Sequence, residues 1–166
     1  MNKYVNKSEI TSNNINVDYL ANHVKFIPTI ADWYFSAFGT ESSSIEKCTK
    51  IIQQRLNTTD LDICFLAFIE NQIVGTVSLS ANDIPKNPKM TPCISNLFVA
   101  EKYRHKGIGR YLIKYAKQKL KNMQFNKAYL YTTDESIYLW YELLGWNVIG
   151  DDIINFKKIK IMESKL

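Results

Sequence analysis

The stretch that most limits what this chain can fold into lies between Cys93 and Met123. A mostly apolar run, Cys93 to Ala100, leads through Arg104-His105-Lys106-Gly107-Ile108-Gly109 into an amphipathic run, Tyr111 to Met123. The first run has the length and composition of a buried strand. Around the second, Ile108, Leu112, Ala116, Leu120 and Met123 recur at helical spacing and share one face. At about 1.5 Å per residue this helix is ~24 Å long, enough to lie across a sheet. A strand therefore feeds a helix through a short basic loop that contains glycine. Such a junction gathers free backbone N–H groups and the positive end of a helix dipole at one spot. That spot is a site for an anion, most naturally a phosphate or pyrophosphate.

The flanking sequence supplies further strands and helices. After a polar, frayed start over residues 1–14, Ile15 to Leu20 reads as a strand. Pro28 suits the first turn of a helix in which Ile27, Ile30, Ala31, Tyr34 and Phe35 keep helical spacing and which Gly39 stops. Ser42 to Ser44 offer N-caps for a second helix, with Glu46 in its first turn and Ile45, Cys48, Ile52 and Leu56 along one face. Asp62 to Glu70 is a near-continuous apolar strand, Asn71-Gln72 a tight turn, and Ile73 to Ala81 the antiparallel partner. A loop rich in Pro and Asn, Asn82 to Pro92, precedes the central strand. Beyond the long helix, Lys127 to Thr132 is a strand and Ser136 to Leu144 a short helix ended by Gly145. Trp146 to Ile149 and Ile154 to Ile161 then read as a closing hairpin around Gly150-Asp151-Asp152. The order β-α-α-β-β-β-α-β-α-β-β predicts an α/β (α+β) chain with helices on both faces of a central mixed sheet.

The length of 166 residues fits one domain, spanning 1–166. A chain of this size buries roughly 70% of its unfolded surface and needs neither disulfides nor metal to fold. The three cysteines, Cys48, Cys64 and Cys93, form no CxxC pair and sit among apolar neighbours, as buried free thiols do. His23 and His105 are far apart, and no cluster has metal-ligand spacing, so no metal is expected. Met1 to Ile10 carries no apolar signal core, and the run Ile63 to Ile69 is too short to span a bilayer. A cytoplasmic protein without a membrane partner is the expectation.

The net charge of +5 is concentrated. Between Lys102 and Lys127 there are nine basic residues and no carboxylate, against 12 basic and 16 acidic residues elsewhere. A small polyanion explains one basic segment on a mildly acidic body better than a duplex does, although the lysines beyond Arg110 also fit a solvated helix face. No nucleic acid is expected, because the chain shows no interleaved aromatic-basic pattern and no nucleic-acid module.

Gly109-Arg110-Tyr111 is not the Gly-Lys-Ser/Thr of a Walker loop, and Gly107 and Gly109 are followed by Leu112 where a dinucleotide fingerprint has glycine. Instead Leu97-Phe98-Val99-Ala100-Glu101-Lys102-Tyr103-Arg104-His105-Lys106-Gly107-Ile108-Gly109 resembles the acyl-CoA site of the GNAT superfamily of N-acyltransferases. That family carries Arg or Gln, two residues, Gly, one residue, then Gly or Ala. Leu139-Trp140-Tyr141-Glu142-Leu143-Leu144-Gly145-Trp146 is similar to the family's second signature. The resemblance covers Ile63 to Gly150 and implies a mostly antiparallel sheet of about six to seven strands with about four helices.

What the resemblance implies for the site can be stated by residue. The backbone of Arg104, His105, Lys106, Gly107, Ile108 and Gly109 would bind the pyrophosphate of acetyl-CoA, with charge from Arg104, Lys106 and Arg110. Gly107 and Gly109 would let the backbone approach the phosphates closely. Leu97, Phe98 and Val99 would pair with the pantetheine arm as an added strand does, and the Leu97 N–H would polarise the thioester carbonyl. Tyr141 matches the general acid that protonates the departing thiolate, although Ile137, Tyr141 and Leu144 share a face and also fit a packing role.

The sequence also departs from the family pattern. Cys93-Ile94-Ser95-Asn96-Leu97 lacks the strand carboxylate that serves many members as general base. Ser95 or Asn96 could hold a water for Glu41 or Asp83. Asp134 stands where the family often has an Asn that contacts the cofactor arm. Trp33, Tyr34, Glu41 and Asp83 are the acceptor-side candidates. Cys93 lacks a paired His and is a poor covalent acetyl carrier. The expected activity is acetyl transfer from acetyl-CoA to a small cationic or peptide amine by direct attack in a ternary complex, in a monomer or homodimer. The alternative is a non-catalytic acyl-CoA sensor on the same fold.

Overall fold

The computed structural model describes residues 14–39, 43–84 and 86–166. Its centre is a seven-stranded sheet in the order β1-β2-β3-β4-β5-β7-β6, where β1 is Asn16–Tyr19, β2 Ile63–Ile69, β3 Gln72–Ser80, β4 Cys93–Val99, β5 Lys127–Thr132, β6 Asn147–Ile154 and β7 Lys157–Lys165. Every neighbouring pair is antiparallel except β4 and β5. Four α-helices complete the fold: α1 (Ile27–Phe38), α2 (Ile45–Gln53), α3 (Ile108–Asn122) and α4 (Glu135–Glu142). The strand and helix order expected from the sequence is the order found.

Alternation along β2 separates two cores. Ile63, Phe65 and Ala67 pack with Leu112, Ala116 and Leu120 of α3 and with Tyr141 of α4. Cys64 and Leu66 point the other way, to Ile30 and Tyr34 of α1 and Ile52 of α2. A third cluster forms where Ile84, in the loop after β3, meets Cys93, Tyr129, Ile159 and Ile161. All three cysteines are buried and free. Among the described residues no helix is long and apolar enough to cross a membrane.

The helix ends follow local chemistry. Pro28 lies in the first turn of α1, and the Gly39 N–H bonds the Phe35 carbonyl at its end. Ser44 is the N-cap of α2, and its hydroxyl accepts the Lys47 N–H at 3.2 Å. Ser42, the other end of the expected cap, lies outside the described residues, as do residues 1–13 of the expected polar start. Leu20–Phe26 forms 3-10 turns kinked at His23, an element the sequence reading does not anticipate because LANHVKF has no regular apolar period.

Both hairpin turns sit elsewhere than expected. The β2–β3 turn uses Glu70 and Asn71, at φ of 48° and 65°, and Gln72 already belongs to β3. The β6–β7 turn is Asn155-Phe156, both left-handed at φ of 50° and 62°. Gly150-Asp151-Asp152 is not a turn but part of β6, beside a register shift between Val148 and Gly150. Asp151 is held there across the pair by Lys160, at 2.8 Å.

Candidate active site

Two irregularities interrupt the pairing of β4. Asn96 has φ of 50°, and the β3–β4 register shifts between Thr76 and Ser78, which marks a β-bulge. The extra residue resets the alternation, so Ile94, Leu97 and Val99 all face the α3 core, while Ser95 and Phe98 face the other side. On its opposite edge β4 pairs with β5 only at Cys93 and Tyr129, so the two strands splay apart beyond that point.

The loop after β4 is shaped by its own contacts. Glu101–Tyr103 forms a 3-10 turn. The Arg104 Nε–H donates to the Val99 carbonyl at 3.0 Å, and the guanidinium carbon lies 5.7 Å from the Phe98 ring centre, which ties the loop to the end of β4. Lys106 curls back to donate to the Lys102 carbonyl at 3.1 Å. His105 is exposed, with φ of 60°. Gly107, the N-cap of α3, has φ of 79°, a conformation that glycine adopts without strain. A Cβ there would meet no atom within 4 Å, so the space beside it is open. Ile108 is buried and anchors the start of α3.

Gly109 lies beside the partner block of the motif. A methyl group there would make ordinary contacts with Trp140 at 3.6 Å and Val99 at 3.8 Å. That same proximity brings the two motif blocks together: the Trp140 ring of α4 lies against the start of α3 and the end of β4. Arg110 borders a separate groove of about 270 Å³ with Lys114, Lys117, Lys121, Leu144 and Leu166.

Asp134 is the N-cap of α4, its carboxylate accepting the Ser136 N–H at 2.8 Å and the Ser136 hydroxyl at 2.7 Å. These bonds hold its carboxyl below the ordinary carboxylate range. Tyr141 is buried, with its ring edge-on to Trp140 at 4.9 Å and to Trp146 at 5.9 Å. Burial pushes its phenol well above the ordinary value. Residues 27–146, which contain this loop, the splayed strands and α4, match the model of the Acetyltransferase (GNAT) family.

The chain belongs to the GNAT acetyltransferase family.

Solved structures share the fold. The GNAT family acetyltransferase from Elizabethkingia anophelis, solved with acetyl-CoA bound, aligns with a TM-score of 0.67 at 20% identity over 93% of this chain and 100% of that one. An aminoglycoside 6'-N-acetyltransferase complexed with coenzyme A aligns at 0.71 and 15% identity, over 90% and 96%. The ribosomal-protein-S18-alanine N-acetyltransferase from Escherichia coli aligns at 0.69 and 14%, over 91% and 93%. At these identities the likeness is one of fold.

On the other side of the sheet, Trp33, Tyr34 and Asp83 connect to β4 through Phe98, Thr76 and Arg55. Trp33 stacks on Phe98, ring centres 4.9 Å apart. Tyr34 is a core residue, 3% exposed, with its hydroxyl 3.3 Å from the Thr76 hydroxyl and 3.4 Å from that of Ser78. It therefore presents no surface to a ligand. Glu41 lies outside the described residues. Asp83 approaches Arg55 at 3.8 Å, and burial, opposed by the Arg55 charge and aided by Asp62, raises its carboxyl above the ordinary value. The Ser95 and Asn96 side chains both accept from Arg55 Nη1. Cys93 donates to the Met90 carbonyl at 3.1 Å, and burial, with the Asp83 charge, pushes its thiol up to about 12. An unreactive thiol follows.

The sequence reading missed three features of this GNAT site. One is Arg55, whose partners Ser95 and Asn96 are 40 and 41 residues away and leave no local signature. The second is Tyr131, whose phenol is pushed up to about 12 by burial and by Asp83 and Cys93. The third is an open cavity of about 710 Å³ between the end of β5, the start of α4 and the β6–β7 hairpin. Asp134, Tyr138, Asp151 and Lys158 are among the residues that line it. Among the described residues no group of three or more His, Cys, Asp or Glu could hold a metal ion.

Proposed function

We propose that this protein transfers an acetyl group from acetyl-CoA to a primary amine by direct attack in a ternary complex. The observation that carries the reading is the single β4–β5 pair at Cys93 and Tyr129 beside the Asn96 bulge, which leaves the edge of β4 beyond it without strand pairing. An edge of β4 without strand pairing can accept an extended amide-bearing arm as an added strand. The loop from Arg104 to Gly109, at the start of a 15-residue helix, offers N–H donors and a favourable dipole to a pyrophosphate. The open space beside Gly107 fits that use.

In this reading the Leu97 N–H donates to the thioester oxygen as charge builds on it, a contribution of about 3 kcal/mol where such donors are preorganised. Tyr141 enters turnover protonated because burial disfavours its phenolate. It gives its proton to the departing sulfur, whose thiol has an ordinary pKa of about 8.5. Asp83 takes the proton that the amine releases, directly or through water, and its raised proton affinity suits that role.

The test is acetyl-CoA-dependent thiol release against polyamines, aminoglycosides, amino acids and peptide N-termini. Release with one class names the acceptor. Acetyl-CoA binding without release across the panel favours the sensor alternative, and no binding at all removes both.

A further inference from the structure

We propose that Arg55 is a positioning residue for acetyl transfer: its guanidinium holds the β4 bulge and so aims the Leu97 N–H into the cleft. The inference rests on the reading that this N–H meets the thioester carbonyl. Arg55 follows the C-terminal end of α2 and is itself fixed, its N–H bonded to the Ile52 carbonyl and its carbonyl accepting the Cys64 N–H, both at 3.0 Å. The side chain is 11% exposed. One guanidinium nitrogen, Nη1, donates to the Ser95 hydroxyl at 3.2 Å and to the Asn96 side-chain carbonyl. The other, Nη2, lies 3.8 Å from the Asp83 carboxylate.

Asn96 is held from two directions. Its side chain is bonded by Arg55, and its main-chain carbonyl accepts the Thr76 hydroxyl at 3.1 Å. Ser95 is fixed as well, 2.8 Å from the Ser80 hydroxyl. A left-handed residue other than glycine persists in a strand only where its surroundings over-determine it. Here the surroundings are a charged, buried donor from another element, the stronger kind of hydrogen bond. Leu97 is the next residue, so the direction of its N–H is set by the peptide that Asn96 begins. The planar fork suits this task better than an ammonium, since one nitrogen serves the bulge while the other faces Asp83.

The experiment compares wild type, Arg55→Lys and Asn96→Gly. The glycine variant keeps a residue at ease at positive φ but removes the acceptor for Arg55, so it remains informative if Arg55→Lys does not fold. Both variants are expected to lose about 10-fold or more in kcat, a part of the 10²–10³ lost when such a donor is deleted, with the Kd for acetyl-CoA changed less than about 3-fold. The double variant should be no worse than the poorer single one, as expected for residues acting through one contact. In amide NMR spectra, the difference in the Leu97 signal between acetyl-CoA and CoA complexes should shrink in both variants. Unchanged kcat and an unchanged Leu97 difference in Asn96→Gly overturn the role of Arg55. A wild-type Leu97 signal that does not distinguish acetyl-CoA from CoA overturns instead the underlying reading of Leu97, and the role of Arg55 with it.

Discussion

In the proposed mechanism Tyr141 carries both a packing and a chemical duty. Its ring is wedged between Trp140 and Trp146, and burial raises its phenol above the ordinary value. Tyr141→Phe keeps the wedge and removes only the proton donor. We expect kcat to fall about 100-fold, the lower end for general acid catalysis, with acetyl-CoA affinity nearly unchanged in calorimetry. Asp83 gives a complementary prediction through pH. Burial raises its carboxyl above the ordinary 3.8, so the rate should climb as pH rises through that raised value, and Asp83→Asn should remove this limb from the kcat/KM profile. The same shift has a consequence for stability. A carboxyl whose folded pKa is raised contributes stability that is fully present below 3.8 and is lost as pH rises through the folded value.

Among the elements, α3 and its loop were the most legible in the sequence, because glycine, basic residues and helical spacing are all local signals. The bulge was not. Asn96 is an ordinary residue in an apolar run, and only its bonds to Arg55 and Thr76 reveal why the strand bends there. The last hairpin misleads for a related reason. Gly150-Asp151-Asp152 has turn composition, yet Lys160 and Lys86 pair with the two aspartates and keep them in β6, while Asn155-Phe156 makes the turn. Ser44 illustrates a local signal that held. Ser44→Ala removes the cap of α2 and should cost about 1 kcal/mol. For a chain of this size that lowers Tm by roughly 2–4 °C in a thermal melt. Because α2 leads directly into Arg55, the same variant should also slow turnover slightly.

At the scale of the molecule, helices cover both faces of the sheet as the residue patterns predict, and the charge asymmetry of the sequence becomes a basic α3 with its loop on a mildly acidic body. What the patterns could not supply was the meeting of distant segments: Arg55 with β4, the loop after β3 with β5 and β7, and α4 with the start of α3. Each depends on tertiary placement rather than on neighbours in the chain.

The single β4–β5 pair at Cys93 and Tyr129 makes the sheet two half-sheets joined by a seam. One half is β1 to β4, the other β5, β7 and β6. A seam with so few cross-strand bonds is where breathing motions should concentrate, so amides of β4 beyond Cys93 should exchange with deuterium sooner than those of β3. A cosubstrate lying along β4 would stitch the halves together. Acetyl-CoA should therefore slow exchange on β4 and raise Tm, by mass action, at concentrations well above its Kd. In mechanical terms the enzyme would be stiffest when loaded, with its donor serving as the missing rung of its own sheet.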